Sequence, residues 1–272
     1  MSSIDFRTTR RLPLSPMRTV GIGLIALVAA LSLLGPVIVP GNPLAQSLIK
    51  ALAGPETAAP LGYDHLGRSV FHRLADALRL SPVIALSAVA TAGAAGLVLG
   101  TLSAAKGGWI DRIFVMLADA LLALPGLLLV LIVLAMVPGT ALGFWAGLSL
   151  VLWVEFFRLT RAATRETLAS PAVQASRLLG FGPVYLFRVH IWPEIAPMML
   201  TAAAFGTATA IMAIAALGFV HVGMRAPTPE LGLMMVELLP YWREAPLALL
   251  SPVVATFALL LGLTLLAGSR ET

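Results

Sequence analysis

Residues 80–105 read LSPVIALSAVATAGAAGLVLGTLSAA, without one charged side chain. So long an apolar run exceeds the roughly 20 residues a helix needs to cross a bilayer core. Working outward, comparable runs lie at Thr19–Pro40 and Phe114–Val137 before the midpoint of the chain, and at Ala141–Phe157, Ala196–Val220 and Pro246–Ala267 after it. The reading is an all-α integral membrane protein with about six transmembrane helices. Alanine and leucine dominate the runs, and the alternating pattern of an outer-membrane barrel is absent, so backbone groups are satisfied within helices.

Composition agrees. Hydrophobic residues make up 59% and charged residues 11% of the chain, and mean hydropathy is +0.95. A net charge of +5 and a pI near 10.4 do not indicate nucleic acid, because the basic residues flank apolar runs instead of forming a soluble patch interleaved with aromatics. They report topology. With both termini in the cytoplasm, Arg7, Arg10, Arg11, Arg18, Lys106, Arg112, Arg158, Arg161, Arg165, Arg177, Arg188 and Arg270 lie inside. Lys50, Arg68, Arg73, Arg79, Arg225 and Arg243 then lie outside. The bias of about two to one is the one the positive-inside rule asks for. The first run is full-length and follows Arg7, Arg10, Arg11 and Arg18, so it reads as a retained span and not a cleaved signal. Cysteine is absent, which excludes disulfides, thiolate metal sites and cysteine nucleophiles.

The chain divides into a cytoplasmic N-terminal segment (1–18), a first span (19–40), an external segment (41–79), a core (80–267) and a short cytoplasmic tail (268–272). Within the external segment, Leu66, Val70, Phe71, Leu74 and Leu78 stand at helical spacing and predict an amphipathic surface helix. Gly107-Gly108 allows a sharp inside turn. Residues 221–245, with Pro227, Pro229 and Pro240, read as an external loop with short helical pieces. Gly93, Gly96 and Gly100 in the second span, and Ala202–Ala204, Gly206, Ala208 and Ala210 in the fifth, let helices approach closely. Tight packing and a sliding or pathway-lining surface are both compatible with them.

One inside segment, about 166–195, is too long and too polar to be a simple turn. Arg158, Arg161 and Arg165 share a helix face as the fourth run leaves the membrane, with Glu155 placed to pair with Arg158. Ser170-Pro171 is a cap followed by a first-turn proline. Residues 172–179 are then helical, Gly180, Gly182 and Pro183 break the helix, and it resumes at Val184–Ile191 before Pro193. The pattern is two short helices joined at a glycine corner.

The segment Gln174-Ala175-Ser176-Arg177-Leu178-Leu179-Gly180-Phe181-Gly182, with Pro193 closing it, resembles the Glu-Ala-Ala-x-x-x-Gly loop of ABC importer permeases. Gln174 stands for the family's Glu, Ser176 for its second Ala, and His190 and Trp192 for the apolar residues before the proline. LGYDHLGRS at Leu61–Ser69, GGWIDR at Gly107–Arg112, Asp119–Pro125, and Leu217-Gly218-Phe219 with Pro227-Thr228-Pro229 resemble further landmarks of the dipeptide, oligopeptide and nickel branch, in its C-type partner. The resemblance runs from about Leu61 to near the C-terminus. It implies the type I (MetI-like) permease fold in a bacterial inner membrane, with no catalysis of its own. It implies partnership with a homologous second permease subunit, cytoplasmic ATPase subunits that bind ATP and Mg, an external solute-binding protein and membrane lipid, and none with nucleic acid. The residues it marks for ATPase coupling are Gln174, Ala175, Ser176, Arg177, Gly180, Phe181, Gly182 and Pro193. Nickel, a metal chelate, a dipeptide or an oligopeptide all remain open as cargo.

Rival classes find less support. The histidines His65, His72, His190 and His221 all fall outside the apolar runs, and no His-Glu-x-x-His or Gly-x-Ser-x-Gly pattern occurs, which argues against an intramembrane enzyme. A secondary transporter not coupled to an ATPase is the alternative. It would place ionisable residues at depth among broken, repeated helices, and neither signal is evident. Asp119, near the start of the third run, is the most deeply placed acid, with Arg112 as the expected partner. His221 and Met224 are two metal-capable ligands without a third.

Overall fold

The computed structural model describes residues 16–268. The positions 1–15, with Arg7, Arg10 and Arg11, and the tail positions 269–272, with Arg270, lie outside the described residues. The helices are α1 (Pro16–Ile38), α2 (Val70–Lys106), α3 (Gly108–Leu122), α4 (Gly126–Met136), α5 (Ala141–Ala169), α6 (Pro171–Leu178), α7 (Pro183–Leu186), α8 (Trp192–Phe219), α9 (Leu231–Leu238) and α10 (Pro246–Gly268). Among the described residues, five helices are long and apolar enough to span, counting α7 through α8 as one, and the bent pair α3 and α4 makes up to six.

The third run is not one straight helix. The chain turns by 88° between Leu122 and Gly126. Pro125 causes the break: it has no N–H to give the preceding turn, its ring excludes the carbonyl four residues back, and it disfavours helix at Leu124. Packing settles what the bent pair does. Gly96 lies against Phe156 and Phe157, and Gly100 against Thr160, so α2 and α5 run side by side in the same direction. The chain between them must therefore return across the membrane. It does so beside α5, with Val130 against Gly147 and Leu134 against Gly143. The sixth crossing is the broken one.

At Gly96 and Gly100 an added Cβ would sit 2.7 Å from the Phe157 amide nitrogen and 2.8 Å from its carbonyl oxygen, so only glycine permits this approach. Phe144, Phe156, Phe157, Ile211 and Ile214 fill the core around that contact. The amphipathic segment expected at Leu66–Leu78 begins its helix at Val70 and continues without interruption into the span. α2 is 37 residues, about 55 Å at 1.5 Å per residue, so it projects well beyond a core of about 30 Å. Its first turns bury Val70, Leu74 and Leu78 under the external loops instead of lying on a surface. In the second external loop, Glu230 caps α9 by accepting from the Gly232 and Leu233 amides, each at 2.8 Å.

Candidate functional site

The inside segment forms as a cap, a helix, a corner and a return. Ser170 accepts a hydrogen bond from the Val173 amide, Pro171 occupies the first turn of α6, and buried Val173 anchors the helix. The helix ends in a Schellman motif: the Phe181 amide donates to the Ser176 carbonyl at 3.1 Å and the Gly180 amide to the Arg177 carbonyl at 3.0 Å. Gly180 carries φ of +85°, and nothing lies within 4 Å of the place where its Cβ would be. Glycine is therefore required by backbone conformation and not by crowding.

Gln174 is exposed, and its side-chain amide donates to the Ala169 carbonyl at 3.2 Å, which helps close the end of α5. A carboxylate at that position has no proton for this bond. Ser176 and His190, which depart from the family pattern together, meet each other: Ser176 Oγ lies 2.9 Å from His190 Nε2, joining α6 to the returning chain. Phe181 stacks on Tyr185 with centroids 4.1 Å apart, stiffening the corner between Gly182 and Pro183. A π-type turn at Phe187–Ile191 leads into α8, where Pro193 sits in the first turn. Ile191 and Ile195 then bury against Ala163, with Leu97 and Met199 packed around them.

The outer side of this corner is left bare. Leu178 is 90% and Leu179 76% exposed, and Phe181 and Val184 are exposed beside them. Together they form an exposed apolar patch on an otherwise polar segment.

Above the corner, the structure re-pairs the charges. Arg158 does not reach Glu155, and Asp119 does not pair with Arg112. The Arg158 guanidinium instead donates to Asp119 at 2.5 Å, across from α5 to α3. The bent pair brings α3 alongside α5, so the partner comes from another helix and not from the next turn. One turn below, Asp111 accepts from Arg161 through two N–H groups, at 2.5 and 2.8 Å, from Arg165 at 2.6 Å and from Ser103 at 2.5 Å. Asp111 thereby ties α2, α3 and α5 together at the cytoplasmic end. The Arg161 hydrogen bonds hold its carboxyl well below the usual carboxylate range, against the opposing effect of burial.

A second charge cluster, whose extent is not legible in the sequence, closes the external side. Asp64 pairs with Arg68 and with Arg73 at 2.6 Å each, and Glu237, from α9, pairs with the same two arginines at 3.0 and 2.7 Å. Asp64, Arg68 and Arg73 are at most 1% exposed. Burial pushes the Asp64 carboxyl up, but the Arg68 amide and the two guanidinium groups outweigh it and leave it below its ordinary value. The i, i+4 spacing of Asp64 and Arg68 was the only local signal. His221 and Met224 join no such cluster, and among the described residues no group of three or more His, Cys, Asp or Glu could hold a metal ion.

The fold and the insert thus define a polytopic helical membrane protein with a glycine-cornered inside segment and an exposed apolar tip. Residues 96–269 match the family described as "Binding-protein-dependent transport system inner membrane component". The chain is 30% identical over 253 residues to the dipeptide transport system permease protein DppC of Haemophilus influenzae, covering 91% of this chain and 86% of the relative. It is 34% identical over 194 residues to a di/tripeptide transport system permease protein of Pseudomonas aeruginosa, covering 71% and 64%. It is 29% identical over 234 residues to the nickel transport system permease protein NikC of Escherichia coli, covering 86% and 84%. The chain belongs to this family: it is a multi-pass inner-membrane permease subunit of an ABC-type importer.

Proposed function

We propose that α6, the Gly180 corner and α7 form the element by which a cytoplasmic ATPase moves this permease. Gln174, Ala175, Ser176, Arg177, Gly180, Phe181, Gly182 and Pro193 shape it. The observation that carries this reading is the bare apolar tip of Leu178, Leu179, Phe181 and Val184 on a corner held rigid by the Schellman motif and the Phe181–Tyr185 stack. ATP and Mg bind on the ATPase subunits, a homologous second permease completes the passage, and an external binding protein delivers cargo. Docking at α6 pushes α5 directly, because only Ser170 separates the two helices, and the charge ties of Asp111 pass the motion to α2 and α3.

The chain's own part is transport and not bond chemistry. Cargo is a small peptide or nickel, free or chelated, the classes carried in the relatives' names, and selection rests mainly with the binding protein. Because the chain has no cysteine, Leu179→Cys gives a unique cross-linking site. In membranes from cells expressing the whole importer, a thiol-reactive photo-cross-linker at that position is expected to capture the ATPase subunit; capture of lipid alone refutes the docking. For cargo, thermal shift of the cognate binding protein against dipeptides, Ni²⁺ and a Ni²⁺ chelate identifies the class, since a specific ligand stabilises the folded state by mass action.

A further inference from the structure

The two halves of the bent pair use their length differently. Along α4, Gly126 lies against Val151, Val130 against Gly147 and Leu134 against Gly143, so α4 climbs beside α5 residue for residue. Along α3, Phe114 meets Phe157, Asp119 meets Arg158, and Asp111 meets Arg161 and Arg165. α3 therefore stays level with one short stretch of α5, as its 88° bend to α4 requires. That stretch begins where the apolar run of α5 ends, at Phe157, and its arginines follow at the cytoplasmic surface. α3, at 15 residues about 22 Å long, thus lies across the bundle at the inner membrane surface before α4 climbs.

The outer side of α3 is bare. Steps of four, three and four residues set Trp109, Ile113, Met116 and Ala120 in one row, all exposed. Asp111 and Ala118 are buried on the opposite side, against Ser103 of α2 and Phe157 of α5. Trp109 and Met116 are the most open of the row, at 71% and 72%. An apolar row on a helix lying in the membrane plane is the form of an interfacial helix, whose apolar side sinks about 5–10 Å into the boundary between headgroups and acyl chains. Tryptophan favours that depth. Basic residues flank the row: Lys106 closes α2 just before it and Arg112 stands at its edge, both exposed. Neither meets an acid among the described residues, because Arg161 and Arg165 hold Asp111 and Arg158 holds Asp119.

We infer that α3 is an in-plane anchor that holds anionic phospholipid of the cytoplasmic leaflet, its apolar row set among the acyl chains and Lys106 and Arg112 on the headgroup phosphates. Charge complementarity selects the ligand: two cations without protein partners suit a headgroup of net negative charge better than a zwitterionic one. Because Asp111 and Asp119 fasten α3 to α5, lipid bound there also holds the cytoplasmic end of α5 at the membrane surface. This surface is separate from the Gly180 corner and does not depend on what docks there.

The test uses the assembled importer in phosphatidylcholine nanodiscs, with a bimane fluorophore on Met116→Cys as its sole thiol. The label is expected to be quenched by lipid brominated along its acyl chains and not by iodide in water. Each basic residue near an anionic surface is worth roughly fivefold in association, so brominated phosphatidylglycerol is expected to quench at roughly one-twentieth of the mole fraction that brominated phosphatidylcholine needs. Lys106→Gln with Arg112→Gln is expected to bring the two lipids to parity, and Lys106→Arg with Arg112→Lys to keep the preference. Absence of quenching by either lipid, the result if a protein surface covers α3, overturns the inference. So does equal quenching by the two lipids while Lys106 and Arg112 are intact, or a preference that survives the double Gln change. The first two readouts need no substitution at either basic residue.

Discussion

The external cap and the cytoplasmic corner lie on opposite sides of the same membrane bundle and are built to opposite ends. Around Asp64, Arg68, Arg73 and Glu237 each charge finds an opposite charge within the chain, and all but Glu237, which is partly exposed, are buried. Around Gly180 the backbone is fixed with equal care, yet the side chains at the tip are left in water. The first region is finished by its own sequence. The second is complete as a shape and leaves an apolar surface bare, as the docking proposed for it requires.

Breaking the cap is expected to have the largest effect on folding. Arg73→Met leaves Asp64 and Glu237 facing one another with one guanidinium between them, and stranding a buried charge costs about 3–5 kcal/mol. Thermal unfolding of the purified subunit in detergent should reveal it as lost yield or a large drop in Tm.

Asp111→Asn comes next. It keeps the shape but removes the charge that Arg161 and Arg165 share, at a cost of about 1.5–3 kcal/mol for hydrogen bonds to charged groups. The pH dependence has a definite sign. The folded carboxyl titrates below its ordinary 3.8, so its contribution is complete above that value and is lost as pH falls below it. The Asn variant should therefore lose the part of the acid-side stability profile that Asp111 supplies. A profile identical to that of the unsubstituted protein would refute the tie.

The smallest expected effect sharpens the contrast from the other side. Ser176→Ala with His190→Ile restores the family pattern and removes one part-buried hydrogen bond, worth about 0.5–1.5 kcal/mol. Either single change should cost as much as the pair, since each alone breaks the bond. Additive losses in a double-mutant cycle would mean that the two residues act independently.

These two regions also differ in how far the sequence discloses them. Apolar runs located the spans because burial in lipid is written in composition, and Ser170-Pro171 and Gly180 located the corner because caps and positive φ are local requirements. The break at Pro125 was present as a residue but was masked by uniform hydropathy on both sides. Partners across helices were not legible: Arg158 finds Asp119, and Arg68 and Arg73 find Glu237, only once the bent pair and α9 are folded into place. Gln174, read as a lost carboxylate, turns out to make a bond that a carboxylate cannot make.

The central claim is that the Gly180 corner couples ATP hydrolysis to transport. Gly180→Trp tests it most directly, because open space surrounds the position while its φ of +85° penalises any side chain. In the reconstituted importer, the variant is expected to insert and assemble while cargo-loaded binding protein no longer stimulates ATP hydrolysis or uptake. Stimulation and uptake at the level of the unsubstituted importer, in a well-folded Gly180→Trp protein, would contradict the account.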